Sequence, residues 1–205
     1  MGTDNFIPET ISLGIAERIN ALVAPTVNYG ITRSLYRYKG STIKPDVFGA
    51  YIRDILISFA DNGFHNIIIM NGHGGNNSVL KSVALDCHQE RTSKIAVVHW
   101  WELCAKMTDE FFGHAGGHAG TDETAMVQAI DPALTSKADY TKDVVYTFVP
   151  GADIYPVPGN VLLYKQGEGY PEFDLEKSKA YHAKVIVTVG DFVESVLGQW
   201  KKLGV

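Results

Sequence analysis

An apolar run, Ile67-Ile68-Ile69-Met70, gives way at once to Asn71-Gly72-His73-Gly74-Gly75-Asn76-Asn77, and this junction limits the possible folds more than any other feature of the chain. Four successive apolar residues leave no polar face, so the segment reads as a strand buried on both sides, as parallel strands are. A glycine-rich turn after such a strand lies at the carboxyl edge of the sheet, where α/β folds present ligand-binding side chains. His73 is therefore a candidate ligand or catalyst.

Helical and strand patterns alternate along the rest of the chain. Ile7, Ile11, Ile15, Ile19 and Leu22 predict a helix from Phe6 to Leu22, Val23 to Tyr29 reads as a short strand, and a long polar loop continues to Lys44. Asp46 is placed as the cap of a helix reaching Ala60, with Phe48, Tyr51, Ile52, Ile55, Leu56 and Phe59 on one face. A strand from Asn66 to Met70, a helix from Ser78 to Glu90 and a strand from Ile95 to Trp100 follow. A last helix from Asp174 to Trp200 would bury Ala180, Val185, Ile186, Val189, Phe192, Val193 and Val196. Strand, helix and strand in succession imply right-handed crossovers, hence an α/β fold with a mainly parallel sheet and helices on both faces. No internal repeat divides the chain, and 205 residues suffice for one domain with a full core.

The formal charge of −5 and the absence of a Lys/Arg cluster argue against a nucleic-acid or anionic-membrane surface, leaving small-molecule chemistry as the default. No apolar stretch approaches the roughly 18 to 20 residues of a membrane helix, and the first residues have no signal-peptide pattern, so a cytoplasmic location is expected. The two cysteines, Cys87 and Cys104, read as reduced core residues. The aromatic group Trp100, Trp101, Phe111 and Phe112 reads as core or subunit interface, and Asn76 and Asn77 as the turn and cap of the next helix.

A second chemical segment, Gly113 to Thr124, places His114, His118, Asp122 and Glu123 among small residues. Its glycines disfavour a helix, so His114 and His118 are read as loop residues rather than a helical metal pair. Thr121 or Asp122 begins a helix that holds Glu123 in its first turn, where a carboxylate faces the preceding loop.

The chain resembles the creatinine amidohydrolase (creatininase) family. The likeness rests on N-G-H-G-G-N at 71 to 76, H-A-G-x-x-E-T at 118 to 124, and G-T-D at 2 to 4 followed by a helix. It implies a three-layer α/β/α sandwich, a dinuclear site for divalent metal ions (zinc, manganese or iron), and hydrolysis of a non-peptide amide, formamide or cyclic amide. It also implies a homo-oligomer, commonly a hexamer. Carried over by motif, Asp4, His73 and Glu123 correspond to metal ligands and His118 to the catalytic histidine.

Two departures accompany the resemblance. The family pattern has a strand ending in E-Q-H-G upstream of G-T-D, whose Glu and His each ligate a metal, whereas here Met1 immediately precedes Gly2-Thr3-Asp4. The expectation is an N-terminally shortened domain over 1–205 that lacks the family's first strand and two ligands. That pattern leaves an inactive subunit, serving assembly or small-molecule binding, as the alternative to a hydrolase. Second, Gly75 stands where true creatininases carry a glutamate, which makes creatinine a poor substrate expectation. A phosphate-binding loop is disfavoured, because the Gly-rich turn lacks the lysine and spacing of a P-loop.

Overall fold

The computed structural model describes residues 2–32, 40–140, 145–149, 151–152 and 154–204. The apolar run forms β1 (Asn66–Asn71), paired in parallel with β2 (Lys94–His99) in a register that sets Ile67 against Ile95 and Asn71 against His99. Alternation along these strands splits the core in two. Ile67, Ile69, Ile95 and Val97 face a cluster built by α2 (Pro45–Asp61) and α3 (Asn77–Arg91), including Phe48, Ile52, Leu56, Leu80, Val83 and Cys87. Ile68, Met70 and Val98 face the other cluster, built by α1 (Thr3–Ala16), α6 (Thr121–Ile130) and α7 (Leu175–Leu203). Helices on both faces of parallel strands are the α/β arrangement that the sequence predicts, and the two-sided burial explains why the run has no polar residue.

Between β2 and α6 lie α4 (Trp100–Leu103), α5 (Ala105–Phe112) and the two-residue β3 (Gly117–His118). Strand β3 pairs antiparallel with β5 (Val161–Leu163), which pairs in parallel with β4 (Val145–Thr147). No helix among the described residues is long and apolar enough to cross a membrane.

Several elements differ from expectation. The first helix runs from Thr3 to Ala16 rather than from Phe6 to Leu22, because Asn20 takes a left-handed conformation (φ 51°) and turns the chain away, leaving Leu22 exposed. Val23 to Tyr29 is not a strand. Pro25 donates no N–H, and the segment packs through Val27 onto the α2–α3 cluster instead of joining a ladder. Helix α2 starts at Pro45, whose fixed φ suits a first helical position, so Asp46 lies in the first turn and Lys44 takes the cap. Tyr51 points to solvent. Strand β2 stops at His99, and Trp100 opens α4 fully buried in the α1–α6–α7 cluster. The long loop before Lys44 falls partly outside the described residues.

Helix α7 is capped by the Asp174 side chain, which accepts from the Lys177 N–H at 3.0 Å. Its buried face is Ser178, Tyr181, Val185, Val189, Gly190 and Val193, so the expected Ala180 and Phe192 are exposed and Tyr181 takes the inward place. The Tyr181 hydroxyl lies 2.6 Å from the Thr108 Oγ1, with both side chains buried. Tyr181→Phe should lower unfolding stability in urea by about 1–3 kcal/mol, because the Thr108 hydroxyl is then buried without a partner.

Candidate active site

The turn after β1 is shaped by two close backbone approaches. A Cβ on Gly72 would lie 2.0 Å from the Asp4 carbonyl oxygen, so only glycine lets the turn press against the first turn of α1. Pro8 assists, since a proline supplies no N–H to the carbonyl four residues back. The contact brings Asp4 Oδ2 to 3.2 Å from His73 Nδ1. A Cβ on Gly75 would lie 2.1 Å from the Ile31 carbonyl oxygen and 2.9 Å from His73 Nε2. The space a side chain would need at Gly75 is therefore filled by the segment at Ile31. Asn76 fixes that segment by accepting from the Ile31 N–H at 2.9 Å.

Asn71 organises the turn. Its Oδ1 accepts from the His73 N–H and from Asn76 Nδ2, and its Nδ2 lies within hydrogen-bond reach of the His73 carbonyl, Asn77 Oδ1 and His99 Nδ1. Asn76 and Asn77 thus serve the turn through their side chains, whereas neither caps α3 through its side chain. His73 is 8% exposed, and its Nε2 is buried without a hydrogen-bond partner.

The second segment converges on the same place. His118 is held in β3 by pairing with Leu162, not by the free loop expected. Its ring centroid lies 6.5 Å from that of His73. Ala119 then takes a left-handed conformation (φ 50°), unusual for a residue with a Cβ, and donates its N–H to Glu123 Oε2. Glu123, in the first turn of α6 as expected, has Oε2 3.9 Å from His118 Nδ1. Asp122 lies buried under the turn, accepting from the Gly117 N–H at 2.9 Å, and a Cβ on Gly116 would meet its carboxylate at 2.4 Å.

These groups border a cleft of about 260 Å³. His73, His118, Asp122 and Glu123 line one part, and Trp101, Glu102, Phe148, Leu162 and Tyr164 complete it. Trp101 is therefore a cleft residue rather than core alone, whereas Trp100, Phe111 and Phe112 belong to the core as expected. Burial pushes the Glu123 carboxyl well above its ordinary range, reinforced by Asp122 and Asp4. Burial likewise raises Asp122, and the backbone N–H groups it accepts from bring it back only to about 6. Burial also holds His118 below its ordinary value despite the opposing pull of Asp4, with His73 adding to the depression. His118 is consequently a neutral imidazole at pH 7, able to accept a proton.

The donor set fits a divalent cation in kind. An unpartnered buried imidazole nitrogen on His73 and a desolvated Glu123 carboxylate that repels its acidic neighbours are both relieved by positive charge. Asp4 with His73 and His118 with Glu123 form two pairs, and among the described residues no three His, Cys, Asp or Glu side chains converge as a metal-holding group. His114 stands apart from the cleft lining, stacked on Phe112 with Nε2 3.1 Å from Glu172 Oε1, and Glu172 also holds Lys177 at 2.7 Å. Three asparagines around one histidine signal the Asn71 network in the sequence, and the acidic pair 122–123 signals Asp122. Nothing local signals Glu102 or Tyr164.

His73 at the carboxyl edge of a parallel strand, met there by His118 from β3 and by carboxylates from the first turns of α1 and α6, defines an α/β protein with a hydrolase-type, metal-compatible site. The chain belongs to the creatininase family: the family described as creatinine amidohydrolase matches residues 1–167. Creatinine amidohydrolase of Pseudomonas putida is 27% identical over 177 residues, covering 77% of this chain and 67% of that protein. A mutant creatininase of Zn–Zn type superimposes with a TM-score of 0.77 at 21% identity, covering 95% of this chain and 83% of that chain. A manganese creatininase does so with a TM-score of 0.76 at 21% identity and the same two coverages. These likenesses establish the creatininase fold.

Two outcomes follow from the site's construction. Gly75→Ala should cost about 1–3 kcal/mol in urea unfolding, because its methyl group must displace the Ile31 backbone. His114 is opposed by burial, but the Ala115 carbonyl and then Glu172 outweigh it and raise its pKa above 6.5. Its contribution to stability is fully present below pH 6.5 and is lost as pH rises through the raised value. Urea midpoints measured across that interval should fall in the wild type more than in Glu172→Gln.

Proposed function

We propose that this chain hydrolyses a C–N bond in a small non-peptide amide, formamide or cyclic amide, with Asp4, His73 and Glu123 as ligands of divalent cations and His118 as the proton carrier. The observation that carries this reading is the unpartnered His73 Nε2 in the same cleft as the desolvated Glu123 carboxylate. Family membership and the zinc and manganese forms of similar structures support it.

A bound divalent cation supplies Lewis-acid polarisation of the substrate carbonyl. The protein's own groups do the rest. Asp4 sits against His73 Nδ1 and orients the ring so that Nε2 faces away from that contact. His118, kept neutral by burial, takes a proton from the attacking water and hands it to the leaving nitrogen, and Glu123 faces its Nδ1. The Phe148 and Tyr164 rings, stacked with centroids 6.0 Å apart, form an aromatic part of the cleft wall. Creatinine is the substrate in the name of the Pseudomonas putida relative. Here the filled space at Gly75 supports a different small amide, since no carboxylate fits that place without moving Ile31.

The test is hydrolysis of a panel of formanilides, lactams and cyclic ureides by the zinc- or manganese-supplemented protein. His118→Ala should reduce kcat by about 10²–10⁴-fold, and a chelator should abolish turnover. Turnover indifferent to both would refute the reading.

A further inference from the structure

Glu102 has no part in the proton and cation chemistry proposed above, yet it lines the cleft next to Trp101. It is held in place. Asn77 Nδ2 donates to Glu102 Oε1 at 3.2 Å, and Asn77 Oδ1 accepts from Asn71 Nδ2 at 2.9 Å, so the amide that shapes the His73 turn also steadies Glu102. Asn77 opens α3, which packs with β1 into one core, so the backbone that carries this amide is fixed against the strand end. Among the described residues no Lys or Arg lines the cleft. Cations at Asp4 and Glu123 would satisfy those carboxylates and leave Glu102 open to a cationic group of the substrate.

The surroundings of Glu102 suit a flat, positively charged group. Trp101 lies over the turn, with its Cζ2 3.9 Å from the place a Cβ would occupy on Gly74. The stacked Phe148 and Tyr164 come from a separate part of the chain. Aromatic faces attract cations, and a carboxylate beside them adds both charge and two acceptor oxygens. Burial raises the Tyr164 phenol's pKa, with Asp122, Glu123 and Glu102 adding to the rise, so it stays protonated as a hydrogen-bond donor.

We propose that Glu102 selects substrate by charge: it receives a planar cationic or amidine-like end of the molecule, while the bond to be cut lies towards His73, His118 and Glu123. The placement of the cut bond rests on the amidohydrolase reading. The charge preference does not, and it is tested by binding alone.

Benzamidinium, benzamide and benzoate share one flat shape and differ in charge. Titration calorimetry of the full chain should show benzamidinium binding roughly tenfold or more tighter than benzamide, with benzoate weakest. Glu102→Gln, which keeps the shape and the Asn77 contact, should bring benzamidinium and benzamide to within about twofold of each other, and Glu102→Lys should favour benzoate. Glu102 is solvent-exposed, so both variants should unfold at the wild-type urea midpoint. No benzamidinium binding, no preference in the wild type, or an unchanged preference in Glu102→Gln would each overturn the proposal. A chain that shows the preference but hydrolyses no amide would refute the amidohydrolase reading and leave the role of Glu102 standing.

Discussion

The contact between Gly72 and the Asp4 carbonyl is the constraint on which the site depends. It is a backbone-to-backbone approach that a single methyl group would prevent, and it joins the first turn of α1 to the end of β1. Because α1 is anchored by Ile7, Ile11 and Ile15 and β1 is packed against helices on both faces, neither side can retreat. Asp4 and His73, far apart in sequence, are therefore held at hydrogen-bonding distance by packing rather than by their own attraction. The Gly75 approach to Ile31 works in the same way on the other side of the turn and determines which side chains the cleft can contain.

The electrostatics follow from that packing. Asp4, Asp122 and Glu123 are brought close, and Asp122 and Glu123 are both raised by burial. Such a concentration of acid beside unprotonated imidazole is unfavourable in isolation and favourable around a divalent cation. Asp122 has a distinct task. By accepting the Gly117 N–H beneath the turn it holds β3, and with it His118, in place. The left-handed Ala119 turns the chain back so that its N–H meets Glu123, a local backbone strain found where geometry serves chemistry.

Much of this was legible in the sequence, and the failures have physical causes. The unbroken apolar run declared a strand buried on both sides, and the spacing from His118 to Glu123 across a helix start put both at one end of α6. Helix boundaries and the path of Val23–Tyr29 are not legible in the sequence, since a left-handed Asn20 and the lack of a ladder partner are properties of the folded chain, not of hydrophobic periodicity. Hydrophobic periodicity does not mark Tyr181 on the buried face of α7, because its hydroxyl is satisfied there only by Thr108, far away in the sequence. Glu102 and Tyr164 reach the cleft through tertiary packing alone, from α4 and from the end of β5, and no local pattern marks them.

In the proposed mechanism His73 and Glu123 hold a divalent cation. An anomalous difference map from a crystal soaked in manganese or zinc tests it most directly. A peak is expected in contact with His73 Nε2 or the Glu123 carboxylate, absent from crystals of the variant lacking the corresponding side chain. An empty cleft at saturating metal, or peaks only on surface carboxylates, would contradict it.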